Sequence, residues 1–241
     1  MMKLIGKAVG VFRANLDAVV LAGLAVVLLS GWVFVEIADE VIEGEADKWD
    51  RLILESLGGR ADGWDPIGPA WLEDFWRDIT ALGSGGVTVL ITGAAGVYFV
   101  LRGRYGLLYL TVGTYAGAGL LTWVLKLLFG RPRPETMTEL ARATSGSFPS
   151  GHSLVAMVVY LTLGVLLASS DSRLRFKLYY VLLALTVVFL VGVSRAYLGV
   201  HYPTDILAGW SLGLVWAVVC WIILYKLNKR AAGSRGAGES A

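Results

Sequence analysis

Residues 150–170 read Ser150-Gly-His-Ser-Leu-Val-Ala-Met-Val-Val-Tyr-Leu-Thr-Leu-Gly-Val-Leu-Leu-Ala-Ser-Ser170, a stretch without Asp, Glu, Lys or Arg. A helix needs about 20 mostly apolar residues to cross the hydrocarbon of a bilayer, and this stretch suffices. Five further stretches share its character: Ala18 to Val35, Ile79 to Leu101, Tyr105 to Leu125, Leu178 to Ser194 and Ile206 to Tyr225. Of the 241 residues 56% are hydrophobic and only 17% charged, with the charges gathered between the uncharged runs, a composition of membrane proteins. The expected fold is all-α, a polytopic bundle of six transmembrane helices.

The formal charge of +2 is small and scattered, and no basic segment carries interleaved aromatics, so nucleic acid is excluded as a partner. The single cysteine, Cys220, lies in an apolar run; it has no internal disulfide partner and reads as a small hydrophobe. The first apolar stretch is long and lacks a small-residue cleavage site before the acidic region that follows, so it reads as a retained helix.

Lys and Arg cluster in the N-terminal arm (Lys3, Lys7, Arg13), after the second stretch (Arg102, Arg104), after the fourth (Arg173, Arg175, Lys177) and in the tail (Lys226, Lys229, Arg230, Arg235). With six crossings these regions share one side, which the positive-inside tendency makes the cytoplasm. The reading is a multi-pass cell-membrane protein with both termini cytoplasmic. It forms a single domain over 1–241: a first span and acidic extracytoplasmic connection (1–78), a core (79–225) and a flexible tail (226–241). The connection from Glu36 to Asp78 carries thirteen acidic residues against four basic ones. Trp49, Leu52, Ile53 and Leu57, and again Trp71, Leu72, Phe75, Trp76 and Ile79, recur in it at helical spacing. These read as amphipathic helices at the interface, serving as an anchor or a lid, separated by turns at Gly58-Gly59 and from Asp65 to Pro69. Gly113 with Gly117 and Gly93 with Gly96 read as small faces for helix packing.

Three polar blocks fall at the outer ends of the spans. In the first, Lys126 and Arg133 are seven residues apart, and Gly130, Pro132 and Pro134 oppose a continued helix. A helix end and a rigid extended turn are expected. Lys126 would then be a mobile point charge, and Arg133 or its neighbour Arg131 a fork for two phosphoryl oxygens. In the second, Ser150 is placed to cap a helix whose first N–H groups, at Gly151 and its neighbours, form an anion site, and His152 could protonate a leaving oxygen. In the third, Arg195 closes a span, Pro203 opens the next, and His201 lies four residues before Asp205. That carboxylate could orient the imidazole as a nucleophile or base, or simply cap the helix. Together the blocks are equipment for phosphoryl transfer: cations and N–H groups for three equatorial oxygens, and histidine for a covalent step. Two histidines and Asp205 make a meagre metal set that the cations would oppose, so no metal or other cofactor is expected.

The sequence resembles the type 2 phosphatidic acid phosphatase (PAP2) superfamily of membrane lipid phosphatases, relatives of the vanadium haloperoxidases. Its three-part pattern is unbroken here: Lys126 with Arg133-Pro134, Pro149 to His152, and Ser194-Arg195 with His201 and Asp205. The spacing of that pattern selects Arg133 over Arg131. The resemblance implies His201 as the phosphorylated nucleophile, Asp205 as its partner and His152 as the acid for the leaving group. Lys126, Arg133, Ser150, Gly151 and Arg195 would hold the phosphoryl oxygens, without a metal. The implied substrates are lipid mono- or diphosphates such as phosphatidic acid, phosphatidylglycerol phosphate or undecaprenyl diphosphate, taken from the bilayer on the extracytoplasmic side. A lipid phosphotransferase with the same phosphohistidine, and a non-catalytic lipid-binding or transport protein, are the alternatives. The sequence does not give the oligomeric state.

Overall fold

The computed structural model describes residues 18–60, 63–134 and 146–238. Helix α1 (Ala18–Glu43) continues two turns beyond Val35, since a helix that has left the hydrocarbon no longer needs apolar side chains to persist. The connection then forms α2 (Ala46–Leu57), a two-residue hairpin β1 (Gly59–Arg60) and β2 (Gly63–Trp64), and α3 (Ala70–Ala81). That hairpin is the only strand pairing among the described residues. Helix α4 (Gly85–Leu101) follows at a 44° bend. The sequence reading placed one continuous span from Ile79. Gly83-Ser84-Gly85-Gly86 breaks it instead, and the Ser84 hydroxyl caps α4 by accepting Val87 N at 3.4 Å.

The remaining helices are α5 (Tyr105–Phe129), α6 (Gly151–Ser170), α7 (Leu174–Tyr197) and α8 (Pro203–Gly238). Five of the helices are long and apolar enough to cross a membrane, and α3 with α4 makes a sixth, bent span. Helix α5 passes its expected end at Leu125 by a turn. It stops at Gly130, whose left-handed φ of 56° suits glycine and whose N–H returns to Lys126 O at 3.1 Å. Helix α8 runs into the tail that composition marks as flexible, through 232–238, because extending a formed helix costs far less than starting one. Residues 239–241 of that tail lie outside the described residues.

Helix α6 is the centre of the bundle, with Leu154, Ala156, Val158 and Val159 buried and α5, α7 and α8 packed around it. Helix α1 lies on α8, α4 on α5 and α3 on α7. Leu28, Trp32, Leu90, Leu101, Tyr109, Leu120 and Leu182 point outward, the surface lipid would cover. The decisive contact is between α6 and α8. A Cβ on Gly209 would come 2.7 Å from Ser150 O, and one on Gly213 2.8 Å from Leu154 O. Glycine one turn apart on α8 thus lets the two backbones touch and sets their N-termini side by side. The glycine pairs singled out by spacing are only half used. Gly117 receives the Trp216 ring and Gly96 faces Leu108, whereas Gly113 and Gly93 meet no neighbour.

Candidate active site

Ser150 begins α6 as its cap, fully buried, with its hydroxyl accepting Ser153 N at 3.5 Å and its own N–H donating to Asp205 O at 2.9 Å. The first N–H groups of a helix have no partner within it, so Gly151 and His152 present donors at the positive end of α6. Helix α5 crosses this terminus. The Cβ that Gly151 lacks would lie 3.9 Å from Lys126 Cε and 3.2 Å from Thr122 Cγ2. Lys126 is not the mobile charge expected at a helix end. It sits within α5, and its Nζ is held by Gly146 O at 2.6 Å.

His201 is 1% exposed and Asp205 0%. The His201 Nδ1 lies 3.2 Å from Asp205 Oδ2, and its Nε2 lies 3.3 Å from Arg133 Nη1. A guanidinium only donates, so Nε2 is the accepting nitrogen and Nδ1 carries the proton given to Asp205. Asp205 Oδ2 also accepts Tyr202 N at 3.0 Å, so the carboxylate both orients the imidazole and braces the turn into α8. Burial, then the charges of Arg195, Arg133 and Lys126, hold His201 well below the ordinary histidine range. Arg133 Nη1 donates to Val200 O at 3.0 Å as well. Arg195 Nη1 is anchored on Thr80 Oγ1 at 2.9 Å, while its buried Nε has no partner among the described residues. His152 feels the charges of Arg195, Lys126 and Arg133, and would feel that of His201 were that imidazole protonated. The α3–α4 bend packs against it, since a Cβ on Gly83 would come 3.2 Å from His152 Cβ. All eight side chains or backbone positions singled out by sequence therefore meet at one end of the bundle, where Lys126, Arg133 and Arg195 gather positive charge about the two histidines.

Arg131, the neighbour that competed with Arg133, faces the other way. Its Nη1 donates to Asp205 Oδ1 and Thr204 Oγ1, both at 2.9 Å, and its Nη2 to Asp47 Oδ1 and Asp50 Oδ2, also at 2.9 Å. It lies over the Tyr202 ring, 4.3 Å from the centroid. Asp50 is 1% exposed, and it also accepts Thr204 N at 3.0 Å and the Thr204 hydroxyl. Thr80, Asp47, Asp50, Thr204 and Ser147, whose N–H donates to Arg131 O at 2.8 Å, all support the pocket and were not singled out by sequence. The connection closes over this end of the bundle elsewhere too: Tyr197 donates to Ile67 O at 2.6 Å, and the Trp64 ring lies on Gly199. Beside the site a cleft of about 780 Å³ runs between α1, α2 and the end of α5. Val41, Ile42, Leu128 and Phe129 form its apolar part, and Asp47, Arg51, Arg133 and Tyr202 its polar part.

The model of the PAP2 superfamily matches residues 107–229, which carry all three blocks. The chain belongs to the PAP2 superfamily. Its sequence is 38% identical over 148 residues to phosphatidylglycerophosphatase B of Bacillus subtilis, covering 60% of this chain and 71% of that protein. It is 39% identical over 72 residues to an undecaprenyl-diphosphatase of Sulfolobus acidocaldarius, 30% of this chain and 31% of that one. The crystal structure of the transmembrane PAP2-type phosphatidylglycerolphosphate phosphatase from Bacillus subtilis superposes with a TM-score of 0.67 at 29% identity, covering 85% of this chain and 96% of that one. That of Aquifex aeolicus LpxE gives 0.51 at 26% identity, covering 74% and 93%. This PAP2 protein is therefore a multi-pass membrane lipid phosphatase, as the all-helical bundle and the family pattern led one to expect.

Proposed function

We propose that this phosphatase hydrolyses a lipid mono- or diphosphate, without a metal, through a phosphohistidine on His201 at the extracytoplasmic face. The observation that carries the reading is the buried His201, tied through Nδ1 to Asp205 with its accepting Nε2 turned toward Arg133. An incoming phosphoryl group offers Arg133 better acceptors than an imidazole, so binding releases the Nε2 lone pair as it brings phosphorus near. Nε2 then bonds to phosphorus, the bond from phosphorus to the lipid oxygen breaks, and His152 gives that oxygen a proton. In the second half His152 takes a proton from water, the hydroxide attacks phosphorus, and inorganic phosphate leaves with Nε2 restored. Asp205 stabilises the imidazolium character that develops in both halves. Lys126, Arg133, Arg195, the Ser150 hydroxyl and the Gly151 N–H stabilise the equatorial oxygens and supply the positive charge that a metal provides elsewhere. The orphan Arg195 Nε is a donor awaiting such an oxygen.

The cleft beside Arg133, apolar toward α1 and α5 and polar toward Tyr202, suits a substrate with chains in the bilayer and a phosphate above it. The names of the two relatives favour phosphatidylglycerol phosphate and undecaprenyl diphosphate among the possible head groups. The basic clusters after α4 and α6, on the side opposite the site, support the extracytoplasmic placement.

His201→Ala should abolish phosphate release from these lipids and the acid-labile labelling of the protein by radioactive donor, with the folded protein still recovered; turnover in that variant would overturn the nucleophile. Activity should survive excess chelator. Because His201 stays neutral well below pH 6.5, kcat/KM should hold on the acid side until beneath the usual histidine range. A loss centred at pH 6.5 or above, with the substrate's own ionisation accounted for, would contradict the depressed value. For sidedness, Ser56→Cys in a Cys220→Ser background should react with an impermeant maleimide in intact cells; labelling only after lysis would reverse the orientation.

A further inference from the structure

The geometry points to Asp50, in the connection outside the family match, as a positioning residue for the reaction, acting through Arg131 on the Asp205–His201 pair. The inference rests on the reading of His201 as nucleophile and Asp205 as its partner.

Asp205 has two oxygens with divided duties. Oδ2 faces His201 Nδ1 and Tyr202 N, and Oδ1 accepts Arg131 Nη1 at 2.9 Å. A full positive charge on Oδ1 would draw electron density from the carboxylate and weaken its support of an imidazolium. Asp50 counters that charge. Its Oδ2 takes Arg131 Nη2 at 2.9 Å, and its Oδ1 takes Thr204 N at 3.0 Å, one residue from Asp205 on the first turn of α8. Thr204 Oγ1 bridges the two, donating to Asp50 and accepting from Arg131. Asp47 is a weaker counter-charge, its side chain 50% exposed against 1% for Asp50. A carboxylate buried this deeply is costly to keep unless its partner and position repay it, and every donor around Asp50 belongs to the support of Asp205. Burial pushes the Asp50 carboxyl up and Thr204 and Arg131 pull it back. Arg131 meets the same burial but is held above its ordinary value by Asp205, Asp50 and Asp47, so it remains a cation.

The charged groups facing His201 are Asp205 from α8, Lys126 from α5, Arg195 from α7, His152 from α6 and Arg133 from the turn after α5. Arg131 is the charged group that faces Asp50, while Asp47 pairs with that guanidinium and, with Arg51, acts on the neighbouring Tyr202. Asp50→Asn removes a negative charge and leaves Arg131 more fully on Asp205, which disfavours protonated His201 and should move the acid limb of kcat/KM to lower pH. Arg131→Gln removes the positive charge and should move that limb to higher pH. The double variant should return it toward the wild type. A role confined to holding the fold would lower activity without opposite displacements.

The test is phosphate release from phosphatidylglycerol phosphate in mixed micelles, followed across pH for Asp50→Asn, Arg131→Gln, the double variant, Thr204→Val and His201→Ala. The expected result is a fall in kcat of about tenfold for Asp50→Asn with KM little changed, the low end of what supporting partners behind the reacting groups are worth. Thr204→Val changes no charge and should leave the limb in place. If Asp50→Asn does not fold, Arg131→Gln alone must still raise the limb. Limbs that stay fixed, or move the same way, in a background where His201→Ala is inactive would overturn the role of Asp50 while leaving the nucleophile standing. An active His201→Ala would instead remove the reading beneath it.

Discussion

Helices α2 and α3 are each twelve residues long, each amphipathic, and each lies between α1 and α4, yet they join the bundle differently. Helix α2 buries Ala46, Asp50 and Leu54, one face at four-residue spacing, and through Asp50 reaches Arg131 and Thr204. Helix α3 buries no residue and gives the site one hydroxyl at its C-terminal end, where Thr80 holds Arg195. The apolar residues that mark α2 in the sequence, Trp49, Leu52 and Ile53, are on its exposed side. At a membrane surface an apolar face has two possible hosts, lipid and protein. Here Trp49, Leu52 and Ile53 face outward, and a carboxylate marks the face that docks.

The largest break in this contrast should come from Asp50→Ala. Removing one partner of a buried ion pair typically costs 3–5 kcal/mol, and Arg131 retains Asp47 and Asp205, so a loss of about 3 kcal/mol is expected. Thermal unfolding in detergent would show it as a lowered Tm beside the lost activity. Trp71→Ala on the exposed face of α3 should change stability by no more than about 0.5 kcal/mol. Equal destabilisation by the two would mean that the buried carboxylate is not what ties α2 to the bundle.

The reach of sequence reasoning follows the same division. The eight site positions were legible because their types and spacings are constrained together: a cation, a capping serine and glycine, and a histidine four residues before a carboxylate. The core spans were legible from apolar length, but their ends were not. Hydropathy stops counting at Lys126 or Glu36, whereas a helix stops only where a glycine such as Gly130 or a capping serine such as Ser84 changes the backbone path. Asp50 was one of thirteen acids in its connection and looked like the rest. The available signal was its place four residues from both Ala46 and Leu54, on the face away from the tryptophan. Thr80 carried no comparable mark, since its partner is 115 residues distant in the chain.

Thr80→Val sharpens the comparison from the other helix, with a smaller effect. The substitution keeps the shape but removes the oxygen that accepts Arg195 Nη1, leaving that guanidinium less well aimed. Arg195 would bind phosphoryl oxygens in the ground state and the transition state alike, so the main consequence should be a rise in KM of about tenfold, the worth of one hydrogen bond to a charged group. A change in kcat alone would mean that Arg195 acts chiefly at the transition state.

The smallest effect should come from Trp49→Ala and Trp71→Ala together. Both indoles are 67% exposed, Trp49 on α2 and Trp71 on α3. If they seat the connection in the headgroup layer, their loss should reduce phosphate release from lipid in vesicles by about twofold to fivefold. A short-chain substrate in detergent should be hydrolysed at the wild-type rate, because the Asp50 and Thr80 contacts that hold the site are intact. A comparable loss on the short-chain substrate would show that the tryptophans also hold α2 and α3 against the bundle, and the division between a lipid-facing side and a docked side would fail.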